Sequence, residues 1–378
     1  MTNTIAPLTV EHWEHKFYRE HINGHWFRPY MGKDQNAMIH VNMDLSKNPG
    51  DAITFPLITK TTGTGKRGSD KLKGSEKTLP QSAFKIKIDQ YREAILLKEW
   101  EMKKSAIDQM KAVQGNLKNY VTEFDRNKII DALNSTGTDA TGKSLYINKS
   151  AGDGSVGTFS VEATTAQKNT WLTNNADRVL FGRTKSNAVA GDHDASLLAI
   201  DGNDTLNPKS LALMKRMAEA TSPRIRPLKP RGEAKGSDYY VAWMNSLALR
   251  DLEENEEFMK ANREARNRGK QNPIFSAADY CYKNIAIILV EDIPVFEGVG
   301  AGGEDVSPVF LCGSQAIAYA VGLKPKAIKD VEDYGELQGR GIKQQLEIAK
   351  MQFSVDGEGT NAVDHGVVTG YFATPADE

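Results

Sequence analysis

The sequence predicts an α+β fold in which one long helix and a set of mixed strands carry a protruding two-stranded ribbon. Three observations lead there. Two extended segments within residues 51–97 enclose a polar, glycine-rich, basic stretch far longer than a hairpin needs. A helical apolar stripe runs over about residues 101–134. Beyond residue 206, strand-like and helix-like segments alternate without a fixed repeat.

Bulk composition narrows the possibilities. A chain of 378 residues can hold two or three compact units, and 39% apolar residues suffice for their cores. Lysine plus arginine (48) nearly balance aspartate plus glutamate (49). That balance argues against a protein that coats nucleic acid by charge alone, which needs a basic field. The two cysteines, Cys281 and Cys312, read as reduced, buried thiols rather than a disulfide framework. No apolar run is long enough to span a membrane, and the N-terminus lacks a basic patch followed by a hydrophobic core. Neither a span nor a signal peptide is expected.

Residues 1–50 mix Trp13, Phe17, Tyr18, Trp26, Phe27 and Tyr30 with five histidines and show no clean period. Such a segment is too sticky for a solvated tail and too irregular for a domain; an arm lying across a neighbouring molecule fits both properties. The ribbon follows. Its outgoing strand is Asp51–Lys60, and its return strand runs from Ser82 to Tyr91, where Phe84, Ile86 and Ile88 alternate with charged residues. Thr61–Pro80 has almost nothing to bury. An isolated ribbon is marginal in water, so this one is expected to gain its order from another molecule. That points to assembly rather than catalysis. Phe55, Phe84 and Ile86 on the strands, Lys66, Arg67, Lys71 and Lys73 in the loop, and Trp13, Phe17 and Trp26 in the arm are the candidate contacts with a neighbouring subunit.

In the long helix, Met110, Val113, Leu117, Val121 and Phe124 step by three or four, and Ile130 and Leu133 extend the stripe. Lys111, Lys118, Glu123 and Arg126 mark the opposite, solvated face. About 30 residues at 1.5 Å each span about 45 Å. Gly115 costs about 1 kcal/mol of helix stability, so packing must hold the middle. Residues 136–204 read as a loop-dominated insertion with short ordered pieces near Ala166–Leu172 and Arg178–Phe181. Leu206–Ala220 is a helix opened by Asn207-Pro208. A strand at Asp238–Met244, a helix at Ser246–Arg266 capped by Ser246, strands at Tyr282–Val290 and Val309–Cys312, and a short helix at Ser314–Val321 follow. Leu346–Val355 and Val367–Phe372 are closing strands.

No motif assigns a catalytic residue, cofactor or metal. Gly63-Thr-Gly-Lys-Arg-Gly68 matches a dinucleotide fingerprint, but Ser69–Pro80, rich in Lys and Gly, cannot be the helix that the motif must open. A nucleotide-binding enzyme using Gly63–Gly68 is the alternative reading. Lys60 and Arg67 stand where a phosphate loop needs Gly and Ser/Thr. His12, His15, His21 and His25 lack a framing cysteine or helix and read as interface residues rather than metal ligands. Asp192-His-Asp194, Asp201-Gly-Asn-Asp204 and Asp356-Gly-Glu358 are turns without the frame of a calcium loop. Glu253-Glu254 and Glu256-Glu257 sit on a charged, solvated helix face. The lysine-rich ribbon loop has no interleaved aromatics to stack bases, so an acidic surface on a neighbouring subunit is its expected partner.

The order of elements and a series of local phrases carry a resemblance. Gly50-Asp-Ala-Ile-Thr-Phe-Pro-Leu57, Phe84-Lys-Ile-Lys-Ile-Asp-Gln-Tyr-Arg92, Arg224-Ile-Arg-Pro-Leu-Lys229, Tyr239-Tyr-Val-Ala-Trp-Met-Asn245, Arg250-Asp-Leu252, Asn272-Pro-Ile-Phe275, Leu311-Cys-Gly-Ser-Gln-Ala-Ile317 and Asp364-His-Gly-Val-Val368 resemble, in this order, the N-four-type family of tailed-phage major capsid proteins. The resemblance implies the tailed-phage (Hong-Kong-type) major capsid fold. Residues 1–50 would be its N-terminal arm, 51–97 its extended loop, and 98–205 a peripheral domain with spine helix 101–134 and insertion 136–204. Residues 206–345 would form the axial domain and adjoining strands, and 346–378 the closing strands of the peripheral domain. It also implies a function: self-assembly into hexamers and pentamers of an icosahedral head shell enclosing double-stranded phage DNA, held without sequence-specific contact. Scaffolding, portal and decoration proteins are the implied partners, with assembly in the host cytoplasm and no membrane. Some relatives form covalent lysine–asparagine links, but nothing in this sequence selects a reactive lysine.

Overall fold

The computed structural model describes residues 26–43, 50–58, 65–67, 71, 73, 76, 81–105, 107–147, 160–229, 238–266, 279–354 and 361–375. Two short strands, β1 (Met31–Gly32) and β2 (Ile39–Asn42), precede the ribbon strands β3 (Ala52–Ile58) and β4 (Gln81–Lys87). Strand β5 (Asp89–Lys98) continues β4 and leads into helices α1 (Glu99–Lys104) and α2 (Gln109–Leu133). Short strands β6 (Ser135–Thr138), β7 (Ser144–Tyr146) and β8 (Ser160–Glu162) are followed by α3 (Thr165–Asn174), β9 (Val179–Phe181) and α4 (His193–Leu198). Helix α5 (Pro208–Ala220), strand β10 (Tyr240–Met244), and helices α6 (Ser246–Glu253) and α7 (Glu256–Arg266) come next. The remainder is mostly strand: β11 (Tyr280–Tyr282), β12 (Ile285–Leu289), β13 (Val306–Cys312), β14 (Ile317–Glu332), β15 (Leu337–Lys350), β16 (Gln352–Phe353), β17 (Val363–Asp364) and β18 (Val367–Ala373).

Strands β10, β12 and β13 are nearly continuous apolar runs, as strands covered on both faces must be. They lie in a six-stranded sheet ordered β11-β12-β10-β13-β18-β9. Tyr240, Ala242 and Met244 face a core that α5, α6 and α7 close with Leu211, Met214, Leu249, Leu252 and Phe258. Val241 and Trp243, one residue out of step, face the C-terminal part of α2 through Ile129, Ile130 and Leu133. The strand period of two thus splits one strand between two cores. A third core, around Trp171, Phe181 and Tyr371, joins α3 to the β9 edge of this sheet.

The second sheet is ordered β1-β2-β14-β15-β5. Helix α2 packs on it, and a buried polar knot ties the two. Lys128 Nζ lies 2.8 Å from Glu347 Oε1, and the Tyr91 hydroxyl donates to Glu347 Oε2 at 2.6 Å. Both charged side chains are almost wholly buried, so each supplies the counter-charge that the other needs away from water. Less than one turn earlier on α2, Asp125 Oδ2 accepts from the Tyr319 hydroxyl at 3.0 Å, while its Oδ1 is buried without a hydrogen-bond partner.

Burial pushes the Asp125 carboxyl up to about 6, against the smaller opposing effect of the Tyr319 bond. An acid whose native pKa is raised binds its proton more tightly folded than unfolded. Its contribution to stability is therefore lost as pH rises from about 4 to about 6, by up to about 3 kcal/mol. Asp125→Asn is expected to flatten that part of the stability–pH curve and to stabilise the subunit at pH 7. Urea denaturation at pH 5 and 7 measures it; a variant with the wild-type slope would show that Asp125 is not the titrating group.

Several elements differ from the sequence-based expectation. The helix expected over 101–134 is two helices, because the chain turns extended at Ser105 and Asp108 starts α2 afresh by accepting from the Lys111 amide. Arg126, placed on the solvated face, is buried and paired with Asp292 at 3.0 Å, with Trp26 beside it. The helix expected over 246–266 breaks at Glu254, and Asn245 rather than Ser246 is its cap. Ser314–Val321 is not a helix. Its alanines suit one, but pairing of Ile317–Ala320 with β2 and β15 overrides local propensity and makes it the start of β14. The 136–204 segment is not a mere surface excursion: β9 is an edge strand of the six-stranded sheet and α3 closes a core. The division at 345/346 falls inside β15, and β18 lies between β13 and β9 in the sheet that holds β10 and β12.

Candidate assembly surfaces

The ribbon has a root and a free end with different chemistry. At the root, β3 and β4 pair in register from Ala52–Lys87 to Ile58–Gln81. Their alternating Ile53, Phe55, Phe84 and Ile86 pack on Ala318, Ala320, Ala349 and Met351 of β14 and β15. The Phe55 and Phe84 rings stack with centroids 6.3 Å apart, and Phe353 meets Phe84 edge-on. Ala83 and Ser354 exchange backbone hydrogen bonds. Phe55, Phe84 and Ile86 are therefore spent on the chain's own core. This corrects the expectation that they reach a neighbour: small alanines on β14 and β15 leave a seat that the aromatic side chains fill.

The loop is different. Ile58, the last paired residue of β3, is 62% exposed. Lys66, Arg67, Lys71 and Lys73 are exposed, and among the described residues none of them forms an ion pair. Trp26 is half-buried against its own core beside Arg126. Trp13, Phe17 and the histidines at 12, 15, 21 and 25 lie outside the described residues.

A second projection was not foreseen. Beyond the body, β14 and β15 continue as a tongue that β5 widens to three strands, pairing with β15 in unbroken register from Asp89–Leu346 to Lys98–Leu337. The tongue ends at Asp333-Tyr334-Gly335, where all three residues have positive φ. Near this end Leu96, Trp100, Val331 and Tyr334 are all exposed, Tyr334 completely. The available signals were a Tyr-Gly turn and the alternation of Leu346 and Ile348 with polar residues, read only from residue 346 onward.

Ribbon and tongue point opposite ways. Only Ile88 separates β4 from β5, and the opposing chain pairs Leu337 with Lys98, Leu346 with Asp89 and Ser354 with Ala83. Gln81–Lys98 is therefore one extended segment, about 55 Å long at about 3.3 Å per residue. Ile58 and Gln81, from which the loop leaves, lie at one end, and the tongue turn lies past the other.

Among the described residues nothing comparable is built for chemistry. Gly65, Lys66 and Arg67 are not helical, and among the described residues the next regular elements are strands β4 and β5, not the helix that a dinucleotide motif would open. A groove of about 640 Å³ lies at the ribbon root between β4, the β6–β7 turn and α3. Of its ionisable groups, Asp139 accepts from Thr141 and Lys143 and Lys87 donates to the Ala140 carbonyl, while Lys85 is exposed at its rim. Asp192 caps α4 by accepting from the Ala195 amide, and Asp204 accepts from Arg183 and Asn187 to close its turn. Asp356–Glu358 lies outside the described residues. His193 is buried among Trp171, Phe181 and Tyr371, and burial lowers it to about 4. Cys312 is buried, which pushes its thiol up, and Cys281 is half-buried. Among the described residues no group of His, Cys, Asp or Glu is arranged to hold a metal ion.

Comparison with known proteins places the chain among capsid proteins. Residues 1–376 match the family model described as phage capsid protein. The chain is 24% identical over 381 residues to the major capsid protein of Pseudomonas phage KPP25, covering 98% of this chain and 97% of that one. The cyanophage Pam1 capsid asymmetric unit superposes with a TM-score of 0.84 at 26% identity over 99% of both chains. The capsid of Ralstonia phage GP4 shares the fold, with a TM-score of 0.74 at 20% identity over the full length of both.

Proposed function

The chain belongs to the phage capsid protein family and is a major capsid protein of a phage head shell, not an enzyme; from that premise we propose that its copies meet as hexamers and pentamers through the ribbon loop and the tongue turn. The observation that carries this is the pair of exposed ends about 55 Å apart on one extended segment, with no core of their own to cover them. Closed rings need each patch to meet its complement on the next copy, and many modest contacts per subunit add up by avidity.

The arm of residues 1–25, with Trp13 and Phe17, is a third contact in this reading. The shell is icosahedral and encloses double-stranded DNA held without sequence-specific contact; a formal net charge of −1 suits a lining that does not bind DNA tightly. Scaffolding, portal and decoration proteins are its proposed partners and the host cytoplasm its place of assembly, both carried from the family resemblance. Negative-stain microscopy of the purified protein tests the reading. Ring-shaped capsomers or closed shells are expected; a monomer at every concentration overturns it.

A further inference from the structure

Strand β5 is an edge left open along its whole length. It ends the order β1-β2-β14-β15-β5, and among the described residues no strand lies along its outer side. Edge strands are ordinarily short, bulged, broken by proline or covered, because a free row of N–H and C=O groups invites another strand. Asp89–Lys98 has ten residues, no proline or glycine, and no register shift against β15.

Hydrogen bonding fixes which groups point outward. The Glu99 amide donates to the Glu336 carbonyl across the pair of strands. Alternation then turns the amides of Tyr91, Glu93, Ile95 and Leu97 toward β15, and those of Gln90, Arg92, Ala94, Leu96 and Lys98 away from it. Two of the outward amides are met by the carboxylate next door: Gln90 donates to Asp89 Oδ1 at 2.7 Å and Ala94 to Glu93 Oε1 at 3.3 Å. The side chains of all five outward residues are exposed as well.

A shell built from rings needs two kinds of contact. Head-to-tail contacts close each ring, and a contact of another kind joins ring to ring; a two-fold contact does this by setting one surface against itself. An edge strand pairs antiparallel with its own copy about such an axis, and side-chain charge selects the register. An axis at Arg92 or Glu93 sets that residue against itself. An axis at Ile95 sets Arg92 against Lys98, and one at Leu96 pairs only Ala94–Lys98. An axis at Ala94 pairs Gln90–Lys98, nearly the whole strand. Gln90 then faces Lys98, Arg92 faces Leu96, Tyr91 faces Leu97 and Glu93 faces Ile95, with no like charges opposed and the small Ala94 at the centre. We propose that β5 pairs with β5 of a second copy about a two-fold axis at Ala94, joining two three-stranded tongues into one continuous sheet. This rests on the shell-forming reading above and adds to it a ring-to-ring contact.

Disulfide trapping tests it on the full chain. A Cys281→Ser background leaves only the buried Cys312 as a native thiol. Ala94→Cys in that background sets a sulfur on each side of the axis, where opposing Cα atoms lie about 5.5 Å apart, within the span of a disulfide. Mild oxidation of its particles is expected to turn most subunits into disulfide dimers. Arg92→Cys or Leu96→Cys alone should give about tenfold less dimer, because each faces the other position rather than itself; the two together should restore it. No dimer from Ala94→Cys, or equal dimer from all three single variants, overturns the pairing. Ala94→Pro removes one outward N–H, which an edge strand tolerates, so the thermal midpoint should hold within about 3 °C while particle yield falls about tenfold. Normal yield from a folded Ala94→Pro also overturns the proposal, and the cross-link decides alone if proline unfolds the subunit. If wild-type protein forms particles and Ala94→Cys gives no dimer, only this contact fails; if wild-type protein stays monomeric, the shell reading itself fails.

Discussion

Asp364→Ala is expected to destabilise the subunit by about 3–5 kcal/mol, seen as a large drop in its urea midpoint. The carboxylate lies where three elements converge. Lys350 Nζ is 2.8 Å from Asp364 Oδ2, with both side chains almost wholly buried. Trp171 Nε1 donates to the same oxygen at 3.2 Å, and Gln352 Nε2 donates to Oδ1 at 2.6 Å. The residue's backbone is held as well: its amide donates to Asn175 Oδ1 and its carbonyl accepts from Arg178 Nη1. Alanine would keep the backbone bonds but strand a buried ammonium and two buried N–H donors. The cost is the desolvation of what remains, more than the worth of the pair. Asp364→Ala with Lys350→Met should therefore recover much of the loss, since an apolar pair of similar volume often replaces a buried ion pair at little cost. A single variant within about 1 kcal/mol of wild type would show that water or rearrangement meets the lysine.

This hub also shows where sequence reasoning stops. Val367–Phe372 and Val309–Cys312 were legible as strands because short, mostly apolar runs leave few alternatives, and the structure extends them to Ala373 and back to Val306. The start of α5 was legible from Asn207-Pro208, and the structure has the Asn207 cap and Pro208 in the first turn. What could not be read was partnership across long separations. Trp171 meets Asp364 and Lys128 meets Glu347, and neither residue of either pair carries a local sign of the other. The tongue was missed for the same reason. Its strands are polar and half-exposed, and pairing with β5 rather than an apolar period makes them strands. The ribbon was found from its loop, but its root was misjudged, because nothing in Phe55 or Phe84 announces Ala318 and Ala349 beneath them.

That division of the ribbon predicts two separable phenotypes. Replacing residues 59–80 with Asn-Gly gives Ile58 and Gln81 a two-residue turn suited to the twist of the strands. The root should keep its packing, so stability should stay within about 1 kcal/mol of wild type, because loop shortening acts mainly through closure entropy. Particles should disappear, because the basic loop offered to the next copy is gone. Phe84→Ala should do the reverse in order of cause. It empties a buried site beneath Phe55 and Phe353, costs about 3–5 kcal/mol, and impairs assembly only through the loss of folded subunit. Circular dichroism on both variants, with sedimentation of their particles, distinguishes the two. Closed particles from the Asn-Gly variant would mean that the loop takes no part in joining copies, and shell formation would then have to rest on the tongue and the N-terminal arm.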